Sequence, residues 1–180
     1  MKKKSIWLWV SILSILTLLC LQSPKAFAQS ELDPTPPDET IKLIFIHHSV
    51  GGNWLADDQG GLAQALQQTN FFVSDTNYGW GPDSIGDRTD TMDWLDWFTG
   101  SNSQTYINAL YTETGIHSDY TRTQADPGGE NQVIMFKSCY PNSELGGNPD
   151  DPPNPDEWMT VGAAKYVYNE ILNYFETRPD

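Results

Sequence analysis

The chain has 180 residues, with 24 acidic against ten basic side chains and a formal charge of −14 at neutral pH. A surface of that sign repels phosphate backbones, so nucleic acid and anionic membrane are poor partners and a neutral or cationic ligand is easier to accommodate. Hydrophobic residues make up 38% and aromatic residues 12%, which is the composition of a folded domain and not of an acidic disordered tail.

Residues 1–28 read as a secretory signal peptide. Lys2, Lys3 and Lys4 precede an apolar run from Ile6 to Leu21, and Ala26-Phe27-Ala28 supplies a cleavage site. The expected location is therefore extracellular or periplasmic, with no membrane attachment after cleavage. Four of the ten basic residues (Lys2, Lys3, Lys4, Lys25) leave with the leader, so the mature chain keeps six against all 24 acids. Cys20 leaves too, and Cys139 alone cannot form an internal disulfide. Residues 29–40, "QSELDPTPPDET", carry proline and acid with little to bury, and are expected to be a linker.

The folded part is expected over residues 41–180. "IKLIFI" (Ile41–Ile46) is apolar almost throughout, as befits a parallel strand covered on both faces. The segment "GLAQALQQTN" places Leu62, Ala65, Leu66 and Thr69 at helical spacing, and "FFVSDT" (Phe71–Thr76) forms a second strand. Trp94 and Trp97 in "DTMDWLDWFTG" share one face of a short helix and fit a core position. A longer helix carries Tyr106, Ile107, Leu110, Tyr111 and Thr114 on one face, with Gly115 as its stop. "QVIMFKS" (Gln132–Ser138) is a third strand, and Thr160–Thr177 a last helix with Val161, Ala164, Tyr168, Ile171 and Phe175 in a stripe. Alternation of strands and helices predicts an α/β fold with a parallel sheet and right-handed crossovers. Three strands are few for such a sheet, so the chain is expected to be the N-terminal part of a larger domain.

Ligands of doubly wound sheets bind beyond the carboxyl ends of the strands, where strand order reverses. The segments at that rim are "HHSVGGN" after the first strand, "NYGWGPDSIGD" after the second and "SCYPNSE" after the third. Ser49 stands where a nucleophile stands, and the glycines behind it allow a tight turn with N–H groups aimed at a bound oxygen. Ser followed by Gly-Gly is equally an ordinary polar turn.

At these residues the chain resembles the SGNH/GDSL hydrolases. The resemblance implies a flavodoxin-like three-layer sandwich, of which about three strands are present here. It also implies ester hydrolysis by acyl transfer, with Ser49 as nucleophile and first oxyanion donor. The second donor is implied at Gly81 in "YGWGPD", with Gly79 and Gly86 as other matches, and the third at Asn142 in "SCYPNS". No organic cofactor and no metal is implied, and the substrate is a small-molecule or carbohydrate ester. His-His replaces the family's Gly-Asp before the serine, and no Asp-x-x-His block occurs up to Asp180. Histidine and aspartate are expected from sequence not present, leaving this polypeptide a poor catalyst alone.

No local residue replaces them on pattern alone. His47 sits two positions before Ser49, about 6.6 Å away along an extended strand. His48 points to the opposite face, His117 lies in a polar loop, and Lys137 needs burial to act as a base. Zinc on His47, His48 and Asp75 is a competing reading, although adjacent histidines diverge on a strand. A second is a non-catalytic carbohydrate-binding domain that uses Trp54, Trp80, Trp94, Trp97 and Trp158. The acidic, proline-rich "GGNPDDPPNPDEW" lacks EF-hand spacing and fits a solvated lid beside the crevice.

Overall fold

The computed structural model describes residues 34–178. The signal peptide with its cleavage site, and residues 29–33 of the expected linker, lie outside the described residues. The fold described below belongs to the unit Pro36–Asp180.

Three parallel strands, β1 (Ile41–Ile46), β2 (Phe71–Asp75) and β3 (Val133–Phe136), form one sheet in the order β2-β1-β3. Leu43 pairs with Val73 on one side and with Val133 on the other. The central strand is sealed from Leu43 to Ile46, which is why its sequence shows no polar alternation. The helices are α1 (Val50–Leu55), α2 (Leu62–Gln68), α3 (Trp94–Thr99), α4 (Ser103–Thr112) and α5 (Val161–Glu176). The α/β class and the parallel sheet expected from the sequence are the architecture observed.

Side-chain parity divides the core. Ile44 and Ile46 face a large cluster with Trp94, Trp97 and Phe98 of α3, Tyr106, Ile107 and Leu110 of α4, and Ala164, Val167 and Ile171 of α5. Leu43, Phe45 and Val73 face a smaller cluster with Leu55 and Ala63. Trp94 and Trp97 are core residues, as their spacing suggested, and Trp80 is also buried.

Two helices differ in detail from their sequence reading. In α2 the buried positions are Ala63 and Gln67, while Ala65 is exposed. The Gln67 amide explains this: it donates to Thr121 O and accepts from Thr123 N, tying a strandless segment to the helix. Helix α4 ends at Thr112 with an extended Glu113, three residues before the expected Gly115 stop. Helix α5 starts where Thr160 accepts a hydrogen bond from Ala163 N, an N-cap that satisfies an otherwise orphaned donor.

The outer strand β3 is only partly covered, and Val133 is exposed. A groove of about 740 Å³ runs over its Ile134 and Phe136, lined further by Phe98, Tyr168 and Leu172. The acidic, proline-rich stretch is pinned to α5, because Lys165 Nζ donates to Asp151 O at 2.7 Å and Asn154 N to Gly162 O at 3.0 Å.

Candidate functional site at the carboxyl ends of the strands

Ser49 is the exposed hinge of the turn from β1 into α1. Its backbone takes φ 53° and ψ −126°, and its hydroxyl makes no capping hydrogen bond. A non-glycine residue in that region costs on the order of 1–3 kcal/mol and persists only where its surroundings over-determine it. A strained strand-to-helix turn of this kind lifts a side chain clear of its own backbone. The glycine N–H groups are spent inside the turn, Gly51 N donating to His48 O and Gly52 N to Ser49 O. The main-chain donors left for a bound oxygen are therefore those of Ser49 and Val50, not of the glycines.

The surroundings that hold the turn are specific. Thr76 brackets the residue before it: its hydroxyl accepts from His47 N at 3.0 Å and donates to His47 O at 3.0 Å. The His47 ring fills the space inside the turn. A Cβ added at Gly51 would stand 2.5 Å from His47 Cγ, so only glycine fits there.

His47 is fully buried, as is Asp75, and His47 Nε2 lies 3.0 Å from Asp75 Oδ2. Asp75 accepts three further hydrogen bonds: from Ser118 Oγ at 2.6 Å, Tyr120 OH at 3.2 Å and His117 N at 2.8 Å. Burial, and next the Asp75 charge, push the Tyr120 hydroxyl far above its ordinary range, so it remains a donor. His47 Nδ1 is buried without a hydrogen-bond partner. Ser118 Oγ lies 3.4 Å from the same Nε2 that meets Asp75. Since a relay needs carboxylate and hydroxyl on different ring nitrogens, this cluster holds structure and does not activate Ser118.

His48 projects to the other face. Its Nδ1 lies 3.0 Å from Gly86 O, and Tyr78 stacks on its ring at 4.5 Å. The two histidines thus diverge, and among the described residues no three His, Cys, Asp or Glu side chains group as a metal site would need.

In the second loop the three candidate glycines are no longer equivalent. Gly79 N donates to Asp87 Oδ1 and Gly86 N to Trp80 O, whereas Gly81 N makes no hydrogen bond. Gly81 is exposed, at φ 74°, on a groove of about 530 Å³ lined also by Tyr78, Glu113 and His117. The resemblance put Gly81 first by motif match, and the folded loop adds the physical difference, because the N–H groups of Gly79 and Gly86 are already taken.

Asn142 occupies a short 3₁₀ turn, Tyr140–Ser143, just beyond β3. Its Oδ1 accepts from Thr91 N at 2.6 Å, and its Nδ2 lies 3.1 Å from Met159 Sδ. The carboxamide is thereby fixed in orientation and keeps one N–H uncommitted. The segments bearing Ser49, Gly81 and Asn142 all follow the carboxyl ends of neighbouring strands.

Lys137, next to the last residue of β3, donates its N–H to Ile46 O at 3.3 Å. Its ammonium reaches Ser138 O at 3.1 Å and lies 6.0 Å from the ring centre of Trp54 on α1. Burial holds its pKa below the ordinary lysine range, with Cys139 and Asp90 opposing the shift. Of the tryptophans proposed for sugar stacking, Trp54 and Trp158 are exposed, whereas Trp80, Trp94 and Trp97 are buried. No family model, curated protein or solved structure matches this chain.

Proposed function

We propose that the chain is part of a secreted, flavodoxin-like serine ester hydrolase in which Ser49 attacks the acyl carbon of an ester. The observation that carries this reading is the strained, solvent-facing conformation of Ser49 at the turn that follows the central strand. Strain of that size at an exposed turn is tolerated where function requires it. In this reading the N–H groups of Ser49 and Gly81 and the Asn142 amide receive the oxyanion of the tetrahedral intermediate. The strand order β2-β1-β3 is the order with which a flavodoxin-like sheet begins, which supports placing these three turns at one crevice.

Nothing among the described residues donates to or accepts from the Ser49 hydroxyl, so a general base must come from elsewhere. The half-covered strand β3 and the apolar groove beside it support a further strand and helix at that edge, which would bring a histidine with its aspartate to the rim. The substrate is a small acyl or carbohydrate ester.

Turnover of p-nitrophenyl acetate by the secreted product of the complete gene tests this. Replacing Ser49 by Ala is expected to lower kcat/KM by at least about 100-fold. Residues 29–180 alone are expected to show no Ser49-dependent hydrolysis. Equal rates for the complete protein and its Ser49→Ala variant would end the reading, and retention on acetylated polysaccharide by both would then favour a non-catalytic binding domain.

A further inference from the structure

We infer that the groove beside Gly81 is a sugar subsite, with Tyr78 as its stacking platform and Glu113 and His117 as its hydrogen-bonding wall, so that the ester presented to Ser49 is carried on a carbohydrate. This rests on the reading of Ser49 as the nucleophile and names its substrate class.

The first ground is position, because the groove adjoins the Ser49 turn on the β2 side. Tyr78 stacks on His48, the residue before Ser49, at 4.5 Å and 11° between ring planes. His117 precedes Ser118, whose Oγ would stand 3.3 Å from a Cβ at Gly52 in the first turn of α1. Gly81, whose N–H makes no hydrogen bond, lines the same groove of about 530 Å³ as Tyr78 and His117. A ligand seated there reaches the N–H that the oxyanion needs.

The second ground is rigidity. Tyr78 is 62% exposed, yet its ring is backed by the buried His48, whose Nδ1 lies 3.0 Å from Gly86 O. The platform thus has one face fixed and one face open. His117 sits in a strandless loop, but its N–H donates to Asp75 Oδ1 at 2.8 Å and its carbonyl accepts from Asn77 Nδ2 at 2.8 Å. The Glu113 carboxylate is aligned by Trp80 Nε1 at 2.5 Å and by Gly115 N, and His117 Nε2 lies 3.5 Å from it. Groups held this way give up little freedom when a ligand arrives.

The third ground is the chemistry of the lining. Its one carboxylate is accompanied by no lysine or arginine, which turns away phosphorylated and other anionic ligands. Its walls are largely polar, which suits an alkyl chain poorly. A pyranose ring meets both features: its C–H face covers an aromatic ring, and its hydroxyls need acceptors and donors at the edge. Two protein donors occupy only about half of the roughly four lone-pair sites of a carboxylate, so Glu113 can still accept from hydroxyls.

The test is calorimetric titration of the secreted full-length protein in the Ser49→Ala background, with partly acetylated xylotetraose and partly acetylated cellotetraose as probes. At least one probe is expected to bind, to bind about tenfold more weakly when Tyr78→Ala is added, and to stay within about threefold for Tyr78→Phe, which keeps the ring. Binding of neither probe, equal affinity with and without Tyr78→Ala, or a Phe variant as weak as the Ala variant overturns the inference. So does an equal loss in Trp158→Ala, which removes an exposed ring outside the groove. Tetramethylammonium bound in place of either sugar also overturns it, by assigning ring and carboxylate to a cation. In turnover by the Ser49 enzyme, Tyr78→Ala is expected to lower the preference for the acetylated oligosaccharide over p-nitrophenyl acetate about tenfold. Sugar bound through Tyr78 without Ser49-dependent turnover would sink the hydrolase reading and leave the subsite standing. Ser49-dependent turnover with an unaltered preference would do the reverse.

Discussion

Beneath the Ser49 turn, His47 and Asp75 meet with both side chains closed to solvent, Nε2 to Oδ2 at 3.0 Å. The carboxylate is surrounded by donors from three further residues, Ser118, Tyr120 and His117. Buried ions cost several kcal/mol unless geometry and hydrogen bonding compensate, and here the carboxylate is well compensated. The pair therefore works as a brace, locking β2 to the residue that supports the turn.

Breaking this brace from the carboxylate side should be expensive. Asp75→Asn turns acceptors into donors that face other donors, and the expected loss is about 3 kcal/mol in urea unfolding. Ser118→Ala removes one bond at a half-buried position and should cost only about 1 kcal/mol. Similar losses for both would show that the network is not centred on Asp75.

Gly51 and Gly52 are adjacent yet should respond differently to alanine. A Cβ at Gly51 meets the His47 ring at 2.5 Å, whereas at Gly52 its nearest neighbour is Ser118 Oγ at 3.3 Å. Overpacking against a sealed ring should cost about 2–3 kcal/mol at Gly51. At Gly52 a small side-chain adjustment suffices, and the change should stay under about 1 kcal/mol. Thermal melts of the two variants check the contrast.

The strain at Ser49 can be weighed directly. Ser49→Gly and Ser49→Ala both remove the hydroxyl, but only glycine adopts φ 53°, ψ −126° without penalty. Ser49→Gly should be the more stable of the two by about 1 kcal/mol, after allowing for its greater freedom when unfolded. A less stable glycine variant would mean that the turn is not strained.

Lys137 should make stability depend on pH. Because burial depresses its pKa in the fold, the unfolded chain binds more protons between the folded pKa and the ordinary lysine value. Stability then rises with pH across that window, and the destabilising contribution is fully present below it. Lys137→Met should raise the melting temperature at neutral pH, and that gain should shrink as the pH climbs into the ordinary lysine range. A constant gain across the alkaline range would place the effect in packing and not in charge.

Much of the scaffold was legible in advance. The apolar runs of β1, β2 and β3 and the stripe of α5 follow from residue periodicity, which records burial locally. Gln67 in α2 was not legible: a polar residue looks solvent-facing until a distant segment, Thr121–Gln124, comes to claim its amide. His47 and Asp75 could be picked out as polar residues closing apolar strands, but periodicity alone did not pair them as a brace. Their partnership needs β2 to lie beside β1 in the observed register, with Phe45 opposite Asp75.

Sequence by itself determined the three strands, helices α2 to α5, the acidic character and the lone thiol of the folded part at Cys139, whereas helix α1 was read as a turn. Tertiary structure alone decided that the backbone bends through positive φ at Ser49 and that, of the three candidate glycines, Gly81 keeps its N–H free. The physical reason is range. Hydrophobic periodicity is written into neighbours a few positions apart, whereas each polar group's partner is chosen by strand order and loop closure across tens of residues, 28 between His47 and Asp75 and 51 between Thr91 and Asn142.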